Sequence, residues 1–199
     1  MNLSLFESLV WTDYRLAVLF TVFIPLILLI WAFVQKADPI VHLLTIYWRV
    51  SSLLAITVYL MIAALPISFV AAFFARLLIP IALWFWVDLN EEIDDRAESP
   101  LKLSFTSWRW LITIYNGIGT LVQIPFLRCA LMSKQDVLQD SYCRVWLAPP
   151  WGYKEYFHAN STPGFLGFLG IVALLFYVGC FSYFILVRLN RQGRSATGH

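Results

Sequence analysis

The stretch Leu16–Gln35, LAVLFTVFIPLILLIWAFVQ, runs twenty residues without an Asp, Glu, Lys or Arg. About 20 apolar residues are enough to cross a hydrocarbon core as a helix. Three more charge-free blocks follow, Val50–Ala75, Trp110–Leu127 and Tyr156–Val187. Of the 199 residues 60% are hydrophobic and 13% charged, against roughly 45–50% and 25% in a soluble domain. A soluble fold of this size could not cover so much apolar surface. Lipid offers no partner to a free backbone N–H or C=O, so the spans are helices or a closed barrel. Unbroken apolar runs lack the alternation of a barrel strand. The chain reads as an all-α integral membrane protein, with residues 1–199 forming one membrane domain.

Working outward from that stretch, the first span is expected at Arg15–Val34, between Trp11 and Tyr14 at one boundary and Trp31 at the other. Aromatic rings with a polar edge favour both membrane interfaces. Pro25, in mid-span, is expected to bend the helix. Glu7 and Asp13 stand where a signal peptide carries basic residues, so this segment reads as a retained span. The stretch Ile40–Leu89 then allows two readings. A hairpin of two spans, Ile40–Leu65 and Ile67–Leu89, turns at Pro66 and gives a bundle of five transmembrane helices. It places Arg49 and Arg76 in the membrane, at a cost of ~2.5–3.5 kcal/mol each on insertion scales. The alternative is four spans plus an interfacial helix, but Leu77–Val87 is apolar on every face and an interfacial helix needs a polar one. The hairpin is the favoured reading.

Beyond it lies an acidic segment, 88–107, then a span at Trp108–Leu127, a long polar loop over 128–163, and a last span at Gly164–Val187. Arg188, Arg191 and Arg194 form a basic tail, 188–199, expected on the cytoplasmic side by the positive-inside bias. That places the acidic segment inside and 128–163 outside, in a lumen or periplasm. The net charge of +2, with no basic stripe, argues against a nucleic-acid partner.

Few residues point to chemistry. Asp88, Glu91 and Asp95 fall on one helical face at i, i+3 and i+7. Such a cluster could hold a metal diphosphate, but no second carboxylate cluster or phosphate clamp accompanies it, and a solvated charged segment is the expectation. His42, His158 and His199 show no spacing that would sandwich a haem. Cys129 and Cys143 both lie in the outer loop, where an oxidising compartment would permit a disulfide that spacing alone does not specify. No metal site and no catalytic constellation is expected.

The polar residues inside the spans say more. Thr45, Arg49, Ser52 and Tyr59 share one face of the second span. Thr113, Asn116, Thr120 and Gln123 form a similar stripe on the fourth, and Arg76 stands alone on the third. Polar groups in hydrocarbon turn toward the bundle and find partners there. The stripes read either as interhelical hydrogen bonding or as a pocket for a pigment, a quinone or a lipid headgroup. In the five-span arrangement Arg49 and Asn116 come to matching depth, which makes them candidate partners. Ser68, Ala71, Ala72 and Ala75 line one face of the third span, and Gly164, Gly167 and Gly170 step along the last. Small residues of this kind let helices approach closely in lipid. In the outer loop, Trp146, Trp151, Tyr153, Tyr156 and Phe157 are more aromatic than a passive connection requires, and mark it as the expected partner-binding element.

Four motifs, Trp11–Thr12–Asp13–Tyr14–Arg15, Tyr47–Trp48–Arg49–Val50, Val87–Asp88–Leu89–Asn90–Glu91–Glu92 and Ala148–Pro149–Pro150–Trp151–Gly152, resemble a family of uncharacterised multi-pass membrane proteins from cyanobacteria. The resemblance covers most of the chain and brings no activity or catalytic residue with it. It implies a setting, a thylakoid or bacterial plasma membrane whose neighbours are pigment–protein complexes. With that setting the expectation is a non-enzymatic assembly factor or accessory subunit of a photosynthetic membrane complex. The alternative is a small transporter or membrane enzyme that uses the acidic segment and the intramembrane arginines.

Overall fold

The structure is a computed structural model that describes residues 3–189 and 195–196. Five of its helices are long and apolar enough to cross a membrane: α1 (Leu3–Val34), α2 (Asp38–Ile62), α3 (Ile67–Phe85), α5 (Pro100–Leu131) and α9 (Pro163–Arg188). The short helix α4 (Val87–Asp94) joins α3 to α5. Three others, α6 (Lys134–Gln139), α7 (Ser141–Val145) and α8 (Ala148–Phe157), lie between α5 and α9. Ile67–Phe85 is a full helix packed beside α2, so the five-span hairpin is the arrangement found.

The outer boundaries of the expected spans move. α1 begins at Leu3, not Arg15, and Phe6 and Val10 pack on Val145. α5 begins at Pro100, not Trp108, with the Ser99 hydroxyl accepting the Lys102 N–H at 3.2 Å and Pro100 at the first turn. Residues 100–107 of the acidic segment therefore belong to a span. The segment 128–163 is not an open loop but a compact cap of short helices. Its starts are fixed by side-chain caps, Ser133 with Asp136 at α6 and Asp140 at α7. Of the basic tail, Arg191 and Arg194 lie outside the described residues, as does His199.

Pro25 is accommodated by a change of helical register. Proline has no N–H, so the carbonyl four residues back, at Thr21, loses its donor. The turn Leu19–Phe23 is π-helical, and the Ile24 N–H bonds Leu19 instead of Phe20, which frees a second carbonyl. Such π-bulges insert one residue into an otherwise continuous α-helix. Neighbouring spans supply the missing donors. The Tyr47 hydroxyl donates to the Thr21 carbonyl at 2.7 Å and the Trp108 indole N–H to the Phe20 carbonyl at 2.9 Å. In hydrocarbon no water could do this.

The bundle has two distinct ends. At the cap end, Trp11 of α1 lies against Gly152 of α8, where a Cβ would come within 2.8 Å. At the tail end, Ala37, Leu89 and Leu101 share one buried cluster, and Ala196 joins it. Both tight helix–helix turns close with a residue in the left-handed conformation, Lys36 and Ala64, each at φ 52°. α9 is the least buried span, with 6% of its most apolar window inside the protein. It seats on α2 through two glycines, Gly167 against Ala63 and Gly170 against Leu60, whereas Gly164 meets nothing.

Candidate functional site

Arg76 is the most informative residue. α3 carries it into the bundle, where its side chain is 10% exposed and forms an ion pair with Asp13 of α1. The Tyr115 hydroxyl of α5 donates to the Asp13 carboxylate at 2.7 Å, and the Arg76 guanidinium lies 5.5 Å from the Tyr115 ring centroid. Gly119, one turn on, leaves room for the guanidinium: a Cβ there would come within 1.9 Å of Nη1. Three spans meet at this charge-neutral cluster. Asp13 and Tyr115 escape a reading that starts the first span at Arg15. The signal that could have found Asp13 is Leu3, Phe6 and Val10 at i, i+3 and i+7, which extends the helix toward the cap.

A second buried arginine, Arg109, serves the tail end. Its side chain is 3% exposed, hydrogen-bonds the Asn90 side-chain oxygen, and approaches Asp94 at 3.7 Å. The guanidinium lies 4.2 Å from the Trp84 ring centroid, a cation–π distance. The Asn90 amide donates to the Trp86 carbonyl at 2.7 Å and so caps the end of α3. Trp84 in turn donates to the Thr113 hydroxyl at 2.9 Å. Arg109 sits one residue before a charge-free block and was not among the expected site residues. Its value lies in joining α3, α4 and α5.

The two expected stripes separate. Asn116, Thr120 and Gln123 are buried and Thr113 is half-buried, as a bundle-facing stripe requires. Asn116 and Thr120 bond carbonyls of their own helix, while Gln123 Oε1 and Ser68 Oγ are buried without a hydrogen-bond partner. Ser68, Ala71, Ala72 and Ala75 are all buried on α3. The other stripe does not turn inward. Arg49 and Ser52 are exposed, Thr45 and Tyr59 are half-buried, and the Thr45 and Ser52 hydroxyls bond α2's own carbonyls. Arg49 and Asn116 therefore share no polar core. The reason is that α9 covers only part of α2, so this face is left to a cavity and the cap.

The acidic residues diverge. Asp88 accepts the Ser195 hydroxyl at 3.0 Å and the Ala196 N–H at 2.8 Å, Asp94 faces Arg109, and Glu91 and Asp95 point outward. Among the described residues no three His, Cys, Asp or Glu side chains are placed to share a metal ion.

In the cap, Cys129 and Cys143 are disulfide-bonded and fully buried. The five aromatic residues expected to bind partners divide into anchors and exposed rings. Trp146 lies 5.2 Å from Phe126 and 6.2 Å from Phe6, centroid to centroid, and the Trp151 indole donates to the Ile62 carbonyl at 3.2 Å. Both tie the cap to the bundle. Tyr153 stacks on Phe157 at 4.8 Å, and burial, followed by Tyr59, raises its phenol pKa. Tyr59 and His158 Nε2 lie 3.1 Å apart, joining the end of α2 to the cap. Tyr156 and Phe157 are 88% and 72% exposed. Of the five aromatic residues, these two are the most exposed.

Comparison with known families matches residues 7–197 to a family described as Protein of unknown function (DUF3177). No curated protein and no solved structure matches the chain.

Proposed function

The chain belongs to the DUF3177 family, proteins of unknown function, and from that premise we propose a non-enzymatic role for it, as an assembly factor or accessory subunit that docks a partner through its cap. The observation that carries this reading is the contrast within the cap. Residues 129–157 are held by a disulfide, by Trp146 and by Trp151, yet they project Tyr156 and Phe157 outward. A rigid platform that ends in exposed aromatic rings suits protein docking, because Tyr and Trp-type anchors give contact area at low entropic cost. The resemblance of the four sequence motifs to cyanobacterial membrane proteins supports a photosynthetic complex as the partner. The disulfide and Arg188 at the end of α9 support a cap in the lumen or periplasm and a cytoplasmic tail.

The alternative, transport or chemistry at intramembrane arginines, has the Asp13–Arg76 pair in its favour, since ionisable residues inside a membrane often mark an ion path. Here the pair closes on Tyr115 and joins three spans, a structural use.

Gentle solubilisation, native electrophoresis and mass spectrometry test the docking reading. Wild-type protein should migrate with a membrane complex, and a Tyr156→Ala/Phe157→Ala double variant should be inserted normally and migrate alone. Wild-type protein that migrates alone, together with normal accumulation of photosynthetic complexes in its absence, rejects the reading.

A further inference from the structure

At the tail end a cavity of about 250 Å³ lies beside α2. His42, Thr45 and Arg49 line it from α2, Trp86 from the end of α3, Arg188 from the end of α9 and Ala196 from the tail. The three α2 residues stand at i, i+3 and i+7, one face of a helix. Helical side chains lean toward the helix N-terminus, which for α2 is the tail end. Arg49, about 16 Å along the axis from Asp38, therefore reaches back over Thr45 toward the membrane boundary, as snorkelling arginines do.

Arg49 brings its charge to the cavity wall. Among the described residues no carboxylate lies within ion-pair distance of Arg49. Asp88, next to the cavity wall, is turned to the tail and holds Ala196 at the cavity's edge at 2.8 Å. An arginine at membrane depth needs an acceptor, and a guanidinium fork matches phosphate oxygens two at a time. At ~30 Å³ per water the cavity displaces roughly eight waters, room for a phosphodiester and its glycerol. Ile185 and Leu186, 40% and 68% exposed, lie on the same turn of α9 as Arg188.

We infer that this cavity binds the phosphate of an anionic phospholipid headgroup. Arg49 holds the phosphate, His42 and Arg188 stand at the rim, and the Trp86 ring lies against the glycerol. The bilayer delivers the ligand, because the cavity sits where the spans end and headgroups lie. This assignment is independent of the docking role of the cap, at the opposite end of the bundle.

Native mass spectrometry tests it on protein recovered from vesicles of equal parts phosphatidylcholine and phosphatidylglycerol. Wild-type protein should retain one phosphatidylglycerol in preference to phosphatidylcholine. Arg49→Gln should lower that retention on the order of tenfold, and Arg49→Lys, which keeps the charge and loses the fork, by less. Arg128→Gln, an exposed arginine at the cap end, should leave it unchanged. Equal retention in wild type and Arg49→Gln, or equal loss in Arg128→Gln, overturns the site. Inorganic phosphate titrated into delipidated protein distinguishes the sources of the same chemistry. Binding as tight as that of phosphatidylglycerol means a free-anion site and overturns the lipid assignment. A thermal melt of Arg49→Gln matching wild type shows that the loss is local.

Discussion

The Tyr47 hydroxyl shows how one side chain can hold a span together. It donates to the Thr21 carbonyl, which Pro25 leaves without its helical donor, and an unmet buried acceptor costs about 1–3 kcal/mol. Tyr47→Phe should therefore lower stability by about that amount in a denaturation series in bicelles, with the fold retained. Arg76→Leu should cost at least as much, because it leaves the partly exposed Asp13 carboxylate with only the Tyr115 hydroxyl as a partner. Asp13→Asn combined with Arg76→Leu should recover much of the loss, which a double-mutant cycle measures. At this scale the sequence was partly legible. Arg76 and the Asn116, Thr120 and Gln123 stripe are visible as polar residues in apolar runs, and the structure buries them. Their partners are not visible. Asp13 and Tyr115 stand 102 residues apart, and no periodicity in one helix reports which face of another it meets. The surroundings of Arg49 are hidden for the same reason: helical phase places it on a face but does not say whether that face is covered.

Among elements, the turns and the glycines decide how closely helices approach. Lys36 and Ala64 end their helices in Schellman geometry, with Ala37 N–H bonding Ala32 at 2.9 Å and Leu65 N–H bonding Leu60 at 3.1 Å. A left-handed non-glycine residue is strained by roughly 1–2 kcal/mol. Lys36→Gly, at an exposed position, should therefore raise the melting temperature slightly or leave it unchanged. Gly119→Ala should lower it markedly by evicting the Arg76 guanidinium, while Gly117→Ala, with nothing within 4 Å, should not. Reducing the Cys129–Cys143 bridge should loosen the cap, on the order of 3 kcal/mol for a loop of about this length. The spans were legible from charge-free runs, but their ends were not. Polar residues such as Asp13 and Arg109 sit inside helices whose partners neutralise them, and a rule that stops at the first charge stops too early. The cap's helices were hidden because they are short and set by caps and a disulfide rather than by period.

For the molecule as a whole, five spans put the N-terminus and the cap at one end and the tail at the other. Cysteines introduced at positions 135 and 97 of a variant lacking the native three should react with an impermeant maleimide from opposite sides of the membrane, position 135 from the lumen or periplasm. Labelling of both from one side contradicts the arrangement. Isothermal titration with Mg²⁺ should find no saturable micromolar site, because Asp88, Glu91, Asp94 and Asp95 face different ways. The membrane class was plain from composition, because hydropathy is additive along the chain. The proposed docking surface was not, because it depends on which aromatic rings the folded cap leaves exposed, and Trp146 and Trp151 look the same as Tyr156 and Phe157 in sequence. The most direct measurement is therefore photo-cross-linking in native membranes from a probe at position 156, with a probe at lipid-facing position 176 as reference. The account predicts one discrete protein adduct from position 156 and only lipid adducts from position 176. Lipid adducts alone from position 156 would contradict it.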